Sequence, residues 1–271
     1  MTTHPFDAAI RLDPGPGRAL LGSTVPEFAN MVGPFGGTTA AALLHAIELQ
    51  PDRSGDPVAL TVNFAAPIAD GEYTIDTALV RANRSNQHWT ASLTQSGDVM
   101  STATAVFGTR RDTWSDTEAV MPDAPEPEAI ERTPGPEGIA FLQNYDLRFV
   151  EGQPPVDGTA CASSTATLWV RDHRRRALDY SSLAALSDVF YPRIFLRRGR
   201  PVPAGTISMT TYFHIDATEL AALGDEYVLG TARGQVFARG YFDQSAQLWS
   251  RDGALLVTSH QIVYYKDAFG A

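Results

Sequence analysis

The spacing of apolar residues changes several times along the chain, and each spacing predicts a different element. A run of small and apolar residues, AAALLHAIELQ, follows a glycine- and threonine-rich segment at 33–39, which predicts a helix buried on most sides. Between residues 58 and 108, apolar and polar residues alternate in four segments, which predicts antiparallel strands. Ser96-Gly97-Asp98 between the last two segments is typical of a hairpin. We therefore expect one helix packed against an antiparallel sheet.

The same order of elements returns in the second half of the chain. Leu183, Leu186 and Phe190 recur at spacings of three and four, which predicts a helix at 181–191 that ends before Pro192. Two strand-like segments, YDLRFVEG and TATLWVRD, precede this helix, and a strand that begins at Thr206 follows it after a basic loop. Three more alternating segments complete this half.

These two halves match as a tandem duplication, in which the number of residues between matching positions increases slowly along the chain. The matching pairs are Asn63-Phe64 with Tyr212-Phe213 at 149 residues, Glu72-Tyr73 with Glu226-Tyr227 at 154, and Gly97 with Gly253 at 156. Five prolines and eight acidic residues crowd the segment 109–137, which predicts an exposed linker. We therefore expect an N-terminal module at 1–108, the linker at 109–137 and a C-terminal module at 138–271.

Composition narrows the classes of function. The 271 residues carry a formal net charge of −10, which disfavours nonspecific binding to nucleic acid because that needs a basic surface. No apolar run approaches the roughly 20 residues of a membrane span, and the N-terminus lacks the features of a secretory signal, so we expect a cytoplasmic protein. Cys161 is the only cysteine, which excludes an intramolecular disulfide and a metal site with several thiolate ligands. The six histidines show no paired ligand spacing, so we expect no metal site.

Five short motifs carry a resemblance to a known family. They are Phe35-Gly36-Gly37, Ser187-Asp188, Gly205-Thr206-Ile207, Tyr212-Phe213-His214 and Thr258-Ser259-His260-Gln261. In this order and spacing they resemble the acyl-CoA thioesterase II family, the TesB-like enzymes, over most of the chain except the linker. The resemblance implies an α+β double hot-dog fold, in which each of two tandem modules wraps an antiparallel sheet around a central helix. It also implies hydrolysis of acyl-CoA to a fatty acid and coenzyme A without a cofactor.

The resemblance also implies three catalytic residues. In that family an Asp on the second helix, a Thr or Ser opening the next strand and a Gln near the C-terminus hold the hydrolytic water, and Asp188, Thr206 and Gln261 occupy those positions. Asp188 would be the base, and the other two would orient the water. In the first copy, Pro57 corresponds to Thr206 and Ala105 to Gln261, so the trio exists only once. Taken singly, each residue also has an ordinary interpretation as a helix carboxylate, a strand threonine or an edge glutamine.

Two further groups are candidates for substrate binding. Gly36 and Gly37 open the first helix, whose backbone N–H groups could face the thioester carbonyl oxygen, although the second helix offers the same kind of N-terminus. The densest basic cluster comprises Arg193, Arg197, Arg198 and Arg200. We predict that Arg197 and Arg198 bind the phosphates of coenzyme A; a solvated loop face is the alternative.

Other functions remain open at this stage. A hot-dog enoyl-CoA hydratase would use an Asp followed five residues later by a His, and no Asp of this chain has a His at that distance. A non-catalytic protein that binds acyl-CoA or lipid would also fit. We expect a homo-oligomer, because hot-dog sheets often pair with one another.

Overall fold

The computed structural model describes residues 3–155 and 157–266. The helices in these residues are α1 (Pro5–Ala9), α2 (Gly36–Glu48), α3 (Tyr180–Leu186), α4 (Ile194–Arg198) and α5 (Ala217–Ala222). The strands are β1 (Asp13–Pro14), β2 (Leu20–Ser23), β3 (Asp56–Phe64), β4 (Glu72–Ala82), β5 (Asn86–Gln95), β6 (Asp98–Gly108), β7 (Tyr145–Glu151), β8 (Ala166–Asp172), β9 (Ala204–Phe213), β10 (Val228–Arg233), β11 (Phe237–Ala238), β12 (Tyr241–Trp249) and β13 (Leu255–Tyr265). None of these helices is long and apolar enough to cross a membrane.

One antiparallel sheet contains strands from both halves of the chain. Its order is β1-β2-β4-β5-β6-β3-β9-β13-β12-β10-β8-β7, with β11 paired to β12. The halves meet where β3 pairs with β9, from Ala59 opposite Tyr212 to Asn63 opposite Ser208. Helices α2 and α3 contact each other, and one apolar core extends through both halves around them. The double hot-dog fold expected from the sequence is confirmed.

Irregularities of the backbone also repeat between the halves. Val58 is an extra residue of β3 opposite β6, and Ile207 is an extra residue of β9 opposite β13, 149 positions later. Met100 of β6 and Leu256 of β13 form a second pair of such bulges, 156 positions apart. These are the offsets found in the sequence, so the duplication extends to the β-bulges as well as to the regular strands.

The second helix is shorter than its apolar pattern predicts. We expected a helix at 181–191, but α3 ends at Leu186 and Asp188 lies in the turn that follows. The Ser187 hydroxyl donates to the Leu183 carbonyl at 2.8 Å, a side-chain bond that competes with continued helix formation. Pro192 removes an N–H that the next turn would need. Val189 and Phe190, which follow this turn, are buried without being helical.

The predicted linker consists of two parts with different environments. Residues 111–118 are exposed, as expected. Residues 119–137 follow, and we call them the strap. Four of their apolar side chains pack against a separate apolar cluster that contains Trp169 and Trp249; they are Ala119, Met121, Ala124 and Ile130. The Trp169 indole N–H donates to the Pro125 carbonyl at 2.8 Å, and Arg251 forms ion pairs with strap carboxylates at distances down to 2.6 Å. The strap therefore covers apolar side chains of the second half, although the module boundaries themselves stay a prediction.

We expect Asp179→Ala to lower the free energy of unfolding by about 1–2 kcal/mol, because Asp179 caps the fully buried helix α3. Urea unfolding measures this change. The control is Asp216→Ala, which removes the same type of capping box from α5, where only Leu220 is buried; its smaller effect reflects local unfolding of a peripheral helix. A larger loss for Asp216→Ala than for Asp179→Ala would contradict the prediction.

Candidate active site

The N-terminus of α2 lies at the centre of the candidate site. The helix follows Phe35, whose side chain makes no capping hydrogen bond, so its first N–H groups need other partners. The N–H groups of Thr38 and Thr39 both donate to the Phe35 carbonyl. The Gly37 N–H instead acts on the carboxylate of Asp188, whose pKa it lowers. The positive end of the α2 dipole therefore faces an acidic side chain from the other half of the chain.

This close approach requires glycine at both positions. A Cβ atom at Gly36 would lie 2.6 Å from Asp188 Oδ2, and a Cβ atom at Gly37 would lie 2.5 Å from the Ala185 carbonyl oxygen. Both distances are shorter than real Cβ contacts, and the second partner is rigid backbone. The glycine pair therefore lets α2 pack directly against the end of α3 and the turn that follows it, where Asp188 is located.

Gln261 connects the other two predicted catalytic residues. Its Nε2 donates to Asp188 Oδ1 at 3.1 Å and to the Ser187 carbonyl at 3.2 Å, and it lies 3.3 Å from Met209 Sδ. Its Oε1 accepts a hydrogen bond from Thr206 Oγ1 at 3.1 Å. The amide orientation is the one that these partners require, since carbonyl and carboxylate oxygens need a donor and the hydroxyl supplies one. The structure thus brings Asp188, Thr206 and Gln261 into one hydrogen-bonded chain.

Thr206 faces this chain because of the bulge at Ile207. In β9 the buried side chains of Met209 and Phe213 alternate with more exposed ones. Continued alternation would turn Ile207 inward and Thr206 outward. The extra residue reverses the alternation and places Thr206 opposite the buried Val263 on β13. The hydroxyl consequently lies on the same side of the sheet as Gln261.

The Asp188 carboxyl has an acidity suited to proton transfer near neutral pH. Burial raises the pKa of Asp188 from 3.8 to about 7, while the hydrogen bonds from Gln261 and Gly37 oppose this rise. The residue is nevertheless only half-buried by accessible surface, so one side remains open to solvent. A carboxyl group with a pKa near the working pH can accept a proton from water and return it.

The corresponding end of α3 is closed. The Asp179 carboxylate accepts the Ser182 N–H at 2.7 Å, and the Ser182 hydroxyl contacts the Asp179 N–H at 2.9 Å, which forms a capping box. Tyr180 stands at the first helical position, where α2 has Gly36. From the sequence alone, the N-terminus of either helix could face a ligand. Of the two, α2 lacks a side-chain cap and faces Asp188.

The basic cluster divides into buried and exposed members. Arg193 is fully buried and donates to the Tyr191 carbonyl, with its guanidinium carbon 4.2 Å from the centre of the Tyr191 ring. Buried in this way, the Arg193 guanidinium is not available to a phosphate group of coenzyme A. Arg197 donates to the carbonyl groups of residues 161 and 162. Arg197 and Arg198 form the last turn of α4, and their contact with coenzyme A stays a prediction.

Two side chains at the site were not foreseen. The ring of Phe64, at the end of β3, lies 3.6 Å from the place that a Gly36 Cβ would occupy. Met209 is buried and its sulfur contacts the Gln261 amide. The alternation in both strands predicts that these side chains face inward, but pattern alone does not distinguish a core residue from one that borders a site.

Family models match both halves of the chain. A model described as the acyl-CoA thioesterase N-terminal domain matches residues 25–108. A model described as the acyl-CoA thioesterase C-terminal domain matches residues 116–265. Together the two cover most of the 271 residues. None of the curated proteins compared with this sequence matches it significantly.

Solved structures share the fold over nearly the whole chain. A conserved protein of unknown function with a hot-dog fold from Alicyclobacillus acidocaldarius is 45% identical, with a TM-score of 0.94, and the alignment covers 98% of this chain and 100% of that one. A putative thioesterase II from Thermobifida fusca is 17% identical, with coverage of 98% and 99% and a TM-score of 0.86. Acyl-CoA thioesterase II TesB2 from Mycobacterium marinum is 18% identical, with coverage of 98% and 100% and a TM-score of 0.76. At this identity the last two support the fold alone.

We expect Asp188→Asn to be more stable than the unsubstituted protein at pH 8 by about 1–2 kcal/mol. This difference is smaller than the full shift in pKa would give, because the carboxyl keeps some contact with solvent. The folded-state pKa of about 7 lies above the unfolded value of 3.8, so ionisation opposes folding and stability falls as pH rises between these values. The advantage of Asp188→Asn should therefore shrink as pH falls from 7 towards 4. Urea unfolding across this range measures it, and Asp76→Asn, at an exposed strand position, controls for the lost charge. An advantage that is constant with pH would contradict the raised pKa.

Proposed function

This chain belongs to the acyl-CoA thioesterase family, and we propose that it hydrolyses acyl-CoA to a fatty acid and coenzyme A through a water molecule activated by Asp188. The observation that carries the proposal is the 3.1 Å hydrogen bond from Gln261 Nε2 to Asp188 Oδ1 beside the N-terminus of α2. It fixes a carboxyl group of raised pKa next to backbone N–H groups, which is the pairing of base and oxyanion donor that ester hydrolysis uses.

The proposed reaction needs no group other than water and the substrate. Asp188 accepts a proton while the water oxygen forms a bond to the thioester carbonyl carbon, and the carbonyl π electrons move to its oxygen. When the tetrahedral intermediate collapses, the carbon–sulfur bond breaks and the electron pair leaves with sulfur. The proton on Asp188 then passes to the coenzyme A thiolate, which restores the carboxylate.

Each neighbouring group has a distinct proposed role. The Gln261 N–H groups are used by Asp188 and Ser187, so Gln261 is a positioning residue that orients the base. Thr206 donates its hydroxyl hydrogen to Gln261 and keeps lone pairs with which to accept a hydrogen bond from the water. Because the N–H of Gly37 acts on the Asp188 carboxyl, whose pKa it lowers, we assign the Gly36 N–H to the oxyanion.

We also propose the setting in which this activity operates. Acyl-CoA is the substrate, and the protein acts in the cytoplasm as a homo-oligomer, with Arg197 and Arg198 at the phosphates of coenzyme A. Light scattering of the purified protein measures the assembly, and a mass equal to one chain would contradict the oligomer.

We expect Asp188→Asn to lower kcat for acyl-CoA hydrolysis by about a thousandfold or more, because it removes the base with little change in shape. Thr206→Val and Gln261→Ala should each lower kcat by roughly tenfold to a hundredfold. A thiol-trapping assay of released coenzyme A measures these changes.

The control for this experiment is Asp172→Asn. Asp172 is also a buried carboxyl whose pKa burial raises to about 7, but it lies at the end of β8 and forms no hydrogen bond with the trio. Its replacement should leave kcat within a few-fold. A fully active Asp188→Asn protein would refute the assignment, and acyl-CoA binding without thiol release by the unsubstituted protein would favour the non-catalytic alternative. Hydration of enoyl-CoA in place of hydrolysis would favour the hydratase.

A further inference from the structure

The two copies of the fold differ at the first residue of their central helices. In the second copy this residue is Tyr180, whose side chain is buried and whose hydroxyl donates to the Ile215 carbonyl at 3.0 Å. The Tyr180 ring meets the Phe213 ring edge-on, with 5.6 Å between their centres. Phe213 is 1% exposed, so the space between the helix start and the end of β9 is filled by two aromatic rings.

In the first copy one of these two rings is absent. Phe64 ends β3 as Phe213 ends β9, 149 residues later, but the helix start opposite it is Gly36. The Phe64 ring is consequently only half-buried. The space that a side chain at position 36 would fill is bounded by two groups, the Phe64 ring at 3.6 Å and Asp188 Oδ2 at 2.6 Å from the position of a Cβ. A partly open apolar ring therefore stands beside the proposed base.

The backbone around Phe64 is held in place by neighbouring strands. The N–H groups of Ala65 and Ala66 both donate to the Met100 carbonyl, at 2.9 and 3.0 Å. Asn63 pairs with Ser208 across the seam between the halves, next to the bulge that turns Thr206 inward. Phe64 thus approaches the space from the N-terminal half, while Asp188 and Thr206 approach it from the C-terminal half.

We propose that Phe64 forms the wall of the acyl-binding cleft beside the reacting carbonyl and disfavours acyl groups branched at the carbon next to it. This inference rests on the proposed thioester hydrolysis and names its substrate class as straight-chain acyl-CoA. A flat ring at this place would pack against an unbranched methylene chain, and a methyl branch at the adjacent carbon would point at the ring. In pockets of this kind, one carbon more or less changes kcat/KM by about 10- to 200-fold.

The test compares kcat/KM for hexanoyl-CoA and 2-methylhexanoyl-CoA in the full chain. We expect Phe64→Ala to raise the ratio of branched to straight substrate at least tenfold, and Phe64→Leu to raise it less. Phe213→Leu is the matched control, because it alters the equivalent ring of the other copy. It should lower the melting temperature more than Phe64→Leu, since Phe213 is fully buried, and leave the ratio within twofold.

Two outcomes would overturn the inference. One is a ratio within twofold of the unsubstituted protein in folded, active Phe64→Ala and Phe64→Leu. The other is an equal change in Phe213→Leu, which would indicate general loosening of the core. If the unsubstituted protein hydrolyses neither ester, the proposed function fails. The role of Phe64 is then tested by calorimetric Kd values for the same two ligands. A tenfold change in the ratio of these Kd values in Phe64→Ala supports the inference, and an unchanged ratio overturns it.

Discussion

The contact between the Asp188 carboxyl and the N-terminus of α2 is the constraint on which the rest of the site depends. It places a carboxyl from the second half of the chain against the backbone of Gly36 and Gly37 in the first half. The contact is sterically feasible because Gly36 and Gly37 lack side chains, and Gln261 holds the other carboxyl oxygen. Burial and hydrogen bonding act in opposite directions on this group, and burial has the larger effect. The pKa of this carboxyl is thereby raised to about 7, whereas hydrogen bonding alone would favour the ionised form.

Much of this architecture could be predicted from the sequence because it follows from regular periodicity. Alternation predicted four antiparallel strands between residues 58 and 108, where the structure has β3 to β6, and the Ser96-Gly97 turn predicted the hairpin of β5 and β6. The matching offsets predicted the duplication, and they hold for the bulges too. The resemblance placed Asp188, Thr206 and Gln261 together, and their absence from the first copy distinguished them from residues that the fold alone requires.

Other features could not be predicted, because they depend on contacts between distant segments. The side of the sheet that Thr206 faces depends on one extra residue, Ile207, which alternation does not reveal. The acidic, proline-rich strap has the composition of a solvated linker, yet its Pro125 carbonyl accepts a hydrogen bond from the indole N–H of Trp169. Arg193 has the sequence context of a basic surface loop, but it is buried with carbonyl groups and aromatic rings as partners. Composition describes what a segment can do in water and carries no information about what packs on it.

The seam between β3 and β9 also limits how such a protein can change over evolution. Both strands lie in the interior of one continuous sheet, and each uses the other to satisfy its backbone N–H and C=O groups. A polypeptide consisting of either half alone would expose an unpaired strand edge, and such edges pair readily with extended segments of other chains. Each half therefore depends on the other for backbone hydrogen bonding at this seam, and recombination that exchanges one half must preserve the complementary edge of the other.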